Sequence, residues 1–204
     1  MEAATSELGG SRELSRDKAA LIVEAMRVSV AERGVAGSTF DQVARAAGVS
    51  RGLLHYYFGT KERLLVEVVR REAEVRIARL EDSIADARSA DDVLDALVHS
   101  FEDFLGEGPA TPVMVYEMIS LAQRNPEIAA ELAELSRRTR CHLAEALKAK
   151  DEAGVVELRA DADAVATFLF ALADGLTMRR TSEADYDIGP AVKQAVGAAR
   201  ALLR

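Results

Sequence analysis

Thr39, Ser50, Arg51, His55, Tyr56, Tyr57 and Lys61 fall within one short stretch of the 204-residue chain. Their hydroxyls, phenols, imidazole, ammonium and guanidinium are all hydrogen-bond donors, which is what an anionic polymer requires of a surface that grips it. A guanidinium can also match two acceptors at once, on a phosphate or on the major-groove edge of guanine. Catalytic chemistry is harder to assemble. His55, His99 and His142 lie far apart in sequence, and no His-Glu-x-x-His, Gly-x-Ser-x-Gly or phosphate-binding glycine loop occurs. Cys141 and His142 are neighbours, so on a helix they point about 100° apart and cannot face one centre. His99 and Glu102 have a spacing used in metal-binding bundles, but the matching Glu/His motif on a second helix is missing. No cofactor or metal is expected, and an all-α metalloenzyme remains only as an alternative.

The formal net charge is −8, which argues against nucleic acid until it is divided. Residues 1–71 carry 11 Lys/Arg and 9 Asp/Glu, and the remainder carry 15 and 25. A mildly basic first part on an acidic body suits a protein that touches nucleic acid at one end, although ordinary surface variation gives similar numbers. The single cysteine excludes an internal disulfide and a multi-cysteine zinc site, so the expected setting is reduced and cytoplasmic. No apolar run approaches the roughly 18 residues of a membrane span, and the N-terminus does not read as a secretory signal.

The elements that must position these residues read as helices almost throughout. Residues 1–14 are small and polar, with Gly9-Gly10-Ser11, and suggest a loose tail. A first helix is expected at about 16–33, ended by Gly34. Thr39 with Gln42 forms a capping-box pattern before a short helix at about 40–47. Gly48 breaks it, and Ser50 opens another at about 51–57. A long helix starts near Lys61 and runs to about Ala87. Further helices are expected at about 90–105, from Thr111-Pro112 to 122, from Asn125-Pro126 to about Lys150, at about 161–180, and from Gly189-Pro190 to about Leu203. Residues 113–122 are apolar almost all round and predict a central helix.

Two short helices joined by a tight turn at Gly48, with Val43, Ala44 and Ala47 able to pack on Val49 and Leu54, have the pattern of a helix-turn-helix. DNA-binding proteins and other α proteins both use it. The stretch TFDQVARAAGVSRGLLHYYFG, residues 39–59, together with Lys61 and Leu64-Leu65, resembles the DNA-binding signature of the tetracycline-repressor (TetR) family. The resemblance rests on Thr39, Ala44, Ala47, Gly48, Val49, Ser50, Gly52, Leu54, Tyr57, Phe58, Lys61 and Leu64-Leu65 at fixed spacings. It implies an all-α protein of about nine helices. Residues 15–62 would form a three-helix DNA-binding domain, and residues 63–204 a larger ligand-binding and dimerisation domain. Its implied partners are double-stranded operator DNA, a second copy of the chain and a small-molecule effector, with no membrane. With that resemblance, Arg51 opens the recognition helix, Gly52 lets backbone approach DNA, and Leu53 can meet a thymine methyl. His55 stands where the family often has Tyr, Tyr56 can reach a base edge or phosphate, and Thr39, Tyr57 and Lys61 resemble phosphate-clamping positions. Ser50 and Thr39 also read as plain helix caps, a role compatible with anion contact.

In the larger domain, Val165, Phe168, Leu169, Leu172 and Leu176 form one stripe, and Val192, Val196, Ala199 and Leu203 form another. Paired across a two-fold axis they would make a four-helix dimer interface; the same stripes could instead close the monomer's own core. Polar residues intruding on apolar faces mark a candidate pocket: Glu117, Thr139, His142 and Asp174. Phe101, Phe104, Met114, Met118, Leu121 and Phe170 could supply its apolar lining, and each also suits a plain core. The expected function is a DNA-binding transcriptional regulator, a repressor released from its operator by an effector. The alternative regulator is an effector-independent DNA binder with a solid interior.

Overall fold

A computed structural model of the protein describes residues 3–106, 110–183 and 185–204. Among them nine helices follow in order: α1 (Ala3–Gly37), α2 (Phe40–Ala46), α3 (Arg51–Phe58), α4 (Lys61–Asp86), α5 (Ala90–Gly106), α6 (Ala110–Ala122), α7 (Pro126–Glu152), α8 (Ala162–Ser182) and α9 (Gly189–Leu202). The fold is all-α, as expected; its extended pairing among these residues is an isolated antiparallel bridge between Leu158 and Leu203. The helices start where a side chain satisfies first-turn donors. The Thr39 hydroxyl accepts from the Gln42 N–H while the Gln42 side chain accepts from the Thr39 N–H, closing the capping box. Ser50 accepts from the Leu53 N–H, Asn125 from those of Glu127 and Ile128, and Asp161 from those of Asp163 and Ala164. Each such cap contributes about 1 kcal/mol. At Gly34 the backbone turns left-handed (φ 71°, ψ 171°) and regular α1 ends. Helical backbone reaches back to Ala3 through Gly9-Gly10, where a loose tail was expected. The helix formers around those glycines, including Leu8, Glu13 and Leu14, offset their low propensity. The loop expected at 106–109 lies outside the described residues beyond Gly106.

The chain divides into two compact units, residues 1–69 and 70–204. The division falls inside α4 and not at its start, because Leu64, Leu65, Val66, Val68 and Val69 are all buried. In the first unit the core is built from Ile22, Val23, Met26 and Val30 of α1, Phe40, Val43 and Ala44 of α2, and Leu54 of α3. Full burial of side chains of this kind stabilises by roughly 1.5–3 kcal/mol each. The buried Ser29 hydroxyl donates to the Ser38 hydroxyl, which donates to the Gly34 carbonyl, so the polar groups where α1 ends are satisfied.

In the second unit Ile84, Val93, Leu94, Leu143, Leu147, Val156, Val165, Ala199 and Leu203 share one core. α7 packs on α6 and α8, and α9 on α5 and α8. The Lys150 ammonium donates to the Ala85 and Ala87 carbonyls where α4 ends. Backbone bonds from Glu157 to Arg204 and from Arg159 to Leu202 tie the end of α9 to the segment before α8. α6 is not central as its composition suggested: it buries Met114 and Met118 but leaves Val113 and Ile119 exposed. An all-round apolar helix can leave one apolar face uncovered within a single chain.

Candidate nucleic-acid interface and ligand pocket

α2 and α3 meet through a turn in which Gly48 is left-handed (φ 66°) and the Val49 N–H donates to the Ala44 carbonyl. Leu54 is fully buried, which fixes the roll of α3. With that face inward, Arg51, Gly52, His55 and Tyr56 are turned to solvent. Tyr56 is 80% exposed, an unusual placement for an aromatic ring with nothing else to explain it. Tyr57 and Leu53 are half-buried, and the Tyr56 and Tyr57 rings meet edge-on at 5.3 Å. A Cβ added at Gly52 would meet only the Ser50 hydroxyl at 3.9 Å, so nothing inside the chain requires glycine there. The Thr39 hydroxyl is engaged in its own cap. The Lys61 ammonium donates to the Val35 carbonyl, within reach of the end of α1. The chemical result is one small face carrying a guanidinium, a phenol, an imidazole and bare backbone on a rigid helix.

Arg51 is not loose on that face. Its Nη1 donates to both carboxylate oxygens of Asp41 at 3.1 and 3.2 Å, and its Nε lies 3.5 Å from His55 Nε2. His55 Nδ1 lies 3.0 Å from the Gly59 carbonyl, and its ring meets the Phe40 ring edge-on at 4.9 Å. Asp41 escaped the sequence reading. Its signal there is only an acidic residue in the first turn of α2, which helix-dipole chemistry already accounts for.

The second unit contains a pocket of about 210 Å³ between α4, α5, α7, α8 and α9. Phe101, Phe104, Phe170 and Asp174, all singled out from sequence, line it. So do Leu169, Leu172, Leu176, Val192, Val196 and Ala199, which the sequence stripes assigned to a dimer interface. The lining is mostly apolar, with Arg76, Ser100 and Asp174 as its polar members. The Arg76 guanidinium stands over the Phe104 ring, 4.4 Å from its centroid, a cation–π arrangement. Sequence reading passed over Arg76, although it occupies the apolar row Val69, Ala73, Leu80, Ile84 of α4 at three-and-four spacing. Asp174 retains an exposed edge, yet burial pushes its carboxyl above the usual carboxylate range. Among the described residues no donor reaches that carboxylate. The Tyr116 hydroxyl donates instead to the Asp174 backbone carbonyl, and burial and the Asp174 charge raise the Tyr116 pKa.

The remaining pocket candidates lie elsewhere. Met114 and Met118 are buried, Leu121 is half-buried, and none of the three lines the pocket. Glu117 is exposed, because the stripe it interrupts is not the one α6 buries. Thr139 donates to the Leu135 carbonyl one turn back, at 2.9 Å. His142 Nδ1 pairs with the Glu81 carboxylate at 2.6 Å. Of the interface candidates, Val165, Ala199 and Leu203 are in the unit's own core and Phe168 is exposed. Among the described residues no three His, Cys, Asp or Glu side chains are placed to hold a metal ion, and no helix is long and apolar enough to cross a membrane.

The helix-turn-helix of the first unit and the apolar pocket of the second are the parts that a DNA-binding transcription regulator requires. Residues 22–68 match the family of bacterial regulatory proteins, tetR family, and residues 90–204 match the BetI-type transcriptional repressor, C-terminal. The chain is 33% identical over 169 residues to the HTH-type transcriptional regulator BetI of Rhizobium meliloti, covering 79% of this chain and 76% of that protein. Among solved structures it is similar in fold to a TetR transcription regulator from Haloarcula marismortui (TM-score 0.70, 22% identity, 93% of this chain and 100% of that one). It is likewise similar to FadR from Bacillus subtilis in complex with stearoyl-CoA (TM-score 0.70, 20% identity, 90% and 98%). The chain belongs to the TetR family of bacterial transcription regulators.

Proposed function

We propose that this regulator is a homodimeric repressor that binds a near-palindromic operator through α3 and leaves it when a small molecule occupies the pocket of the second unit. In this reading it works in the cytoplasm, needs no cofactor and carries out no catalysis. The face of α3 supports the DNA contact: Arg51 and Tyr56 toward bases, Gly52 giving close approach, and Ser50, Thr39, Tyr57 and Lys61 toward phosphates. Phosphate contacts position the protein and base contacts specify the sequence.

The pocket is the observation that carries the effector. It is apolar with a few placed polar groups, the usual make-up of a small-molecule site, and FadR, alike in fold, holds stearoyl-CoA. At about 210 Å³ it suits a compact, mostly apolar molecule with one or two polar groups. α4 carries both Lys61 and the pocket residues Arg76 and Leu80. A ligand that favours one placement of α4 therefore acts on the helix-turn-helix through continuous backbone. It does so only to the extent that its affinity differs between the two states.

The test fills the pocket. Duplexes selected by the wild type from a random pool are titrated with a metabolite library, and hits are those that release DNA. Ala195→Trp or Leu97→Phe should keep duplex binding and lose release. Release that persists unchanged in both variants would place the effector elsewhere.

A further inference from the structure

We propose that Asp41 is a positioning residue for base reading: with His55 it holds Arg51 so that the guanidinium presents its Nη2 edge to a guanine in the major groove. The proposal rests on the reading of α3 as the helix that enters the groove. Arg51 is the first residue of α3, and N-terminal residues of a recognition helix are the ones that reach base edges. Two of its three guanidinium nitrogens are engaged within the chain. Nη1 donates to both Asp41 oxygens, at 3.1 and 3.2 Å, and Nε faces His55 Nε2 at 3.5 Å. The His55 tautomer follows from its other nitrogen. The Gly59 carbonyl, 3.0 Å from Nδ1, can only accept, so Nδ1 carries the proton and Nε2 turns a lone pair toward Arg51. The Phe40 ring, edge-on at 4.9 Å, limits tilting of the imidazole. Among the described residues Nη2 makes no hydrogen bond.

Two considerations separate this arrangement from an ordinary surface ion pair. The side chains of Arg51 and Asp41 are 58% and 60% exposed, and pairs so exposed contribute little to folding stability. What the pair does accomplish is to order a long side chain before DNA arrives, which removes an entropy cost from binding. Secondly, a carboxylate beside the guanidinium cancels its net charge. That weakens any attraction to phosphate, whose binding depends on uncompensated positive charge. A neutral base edge suffers less, and guanine N7 and O6 are acceptors for the N–H groups of Nη2. The geometry therefore directs Arg51 to reading, leaving anchoring to Lys61, Tyr57 and the helix caps.

The test uses the full chain and a pool of random duplexes. A consensus selected by the wild type is remade with every single base-pair substitution, and affinities are measured for wild type, Asp41→Asn, Arg51→Ala and the double variant, each checked for wild-type helicity and dimerisation. Asp41→Glu serves as the conservative control. Asp41→Asn should lower consensus affinity by about three- to tenfold, with the lost discrimination confined to one guanine position per half-site. Its binding to random duplexes should not fall. Arg51→Ala should flatten the same position, Asp41→Asn should add nothing in its absence, and Asp41→Glu should recover part of the preference. No consensus for the wild type would sink the operator-binding reading itself. A wild-type consensus with Asp41→Asn shifting all duplexes by one factor, or flattening a position that Arg51→Ala leaves intact, would overturn this proposal alone.

Discussion

A partly desolvated carboxylate on a mostly apolar wall, with no donor among the described residues, is a cost the second unit carries at Asp174. Burial raises its pKa, so the folded chain holds that proton more tightly than the unfolded chain. The linked contribution to stability is then fully present below the unfolded carboxylate value and is lost as pH rises through the raised folded one. Asp174→Asn should accordingly raise the melting temperature at neutral pH, and only slightly, because the exposed edge of the carboxylate keeps part of its hydration. The advantage over wild type should shrink as pH falls into the carboxylate range, and an advantage that does not change with pH would show that the charge is already well solvated. Lys61 poses a different question, since its ammonium already donates to the Val35 carbonyl. If it turns to a phosphate on binding, Lys61→Ala should weaken all duplexes alike and reduce the slope of log affinity against log salt by about one. An unchanged slope would confine Lys61 to tying down the end of α1.

The helices themselves were largely legible in the sequence because their ends are written in local chemistry. Thr39 with Gln42, Ser50, Asn125-Pro126 and Gly34 act within three or four residues of themselves, and each does what its pattern predicts. Thr39→Ala should cost about 1 kcal/mol in chemical denaturation, whereas Thr39→Ser, which keeps the hydroxyl, should cost much less. Equal losses would mean that the methyl group, and not the cap, matters at the start of α2. The partners of each face were less legible, because periodicity gives the spacing of a stripe and not what it meets. α8 is apolar on more than one side. The stripe Val165, Leu169, Leu172, Leu176 reads as an interface, yet Val165 lies in the unit's own core, Leu169 packs against it, and Leu172 and Leu176 line the pocket. Glu117 and His142 share that origin. Each interrupts an apolar row in sequence, but one faces solvent and the other finds Glu81, sixty-one residues earlier in the chain.

For the whole molecule, the proposed dimer has available to it the faces that the unit leaves uncovered. α8 presents Ala164, Phe168, Ala171, Gly175 and Met178 at three-and-four spacing, all exposed. Phe168 and Met178 are 39% and 59% exposed, large apolar side chains that a lone chain gains nothing by displaying. A Cβ at Gly175 would meet nothing within 4 Å, so its own unit does not require glycine there, and a close helix from a second copy would. Two copies joined on this face by a two-fold axis present two α3 helices, as a palindromic operator demands, with half-sites about 34–36 Å apart or a multiple of that. Phe168→Glu should place an uncompensated charge in that interface at a cost of several kcal/mol. Sedimentation should report monomers, the melting transition of each chain should persist, and affinity for a two-half-site duplex should collapse toward that for a single half-site. Leu172→Glu makes the informative contrast. Its side chain lines the pocket, so it should impair effector-driven release before it impairs dimerisation. A wild-type protein that sediments as a monomer at micromolar concentration would remove the dimer from the proposed mechanism. The reverse pattern, monomers from Leu172→Glu and intact dimers from Phe168→Glu, would return the interface to the stripe that lines the pocket.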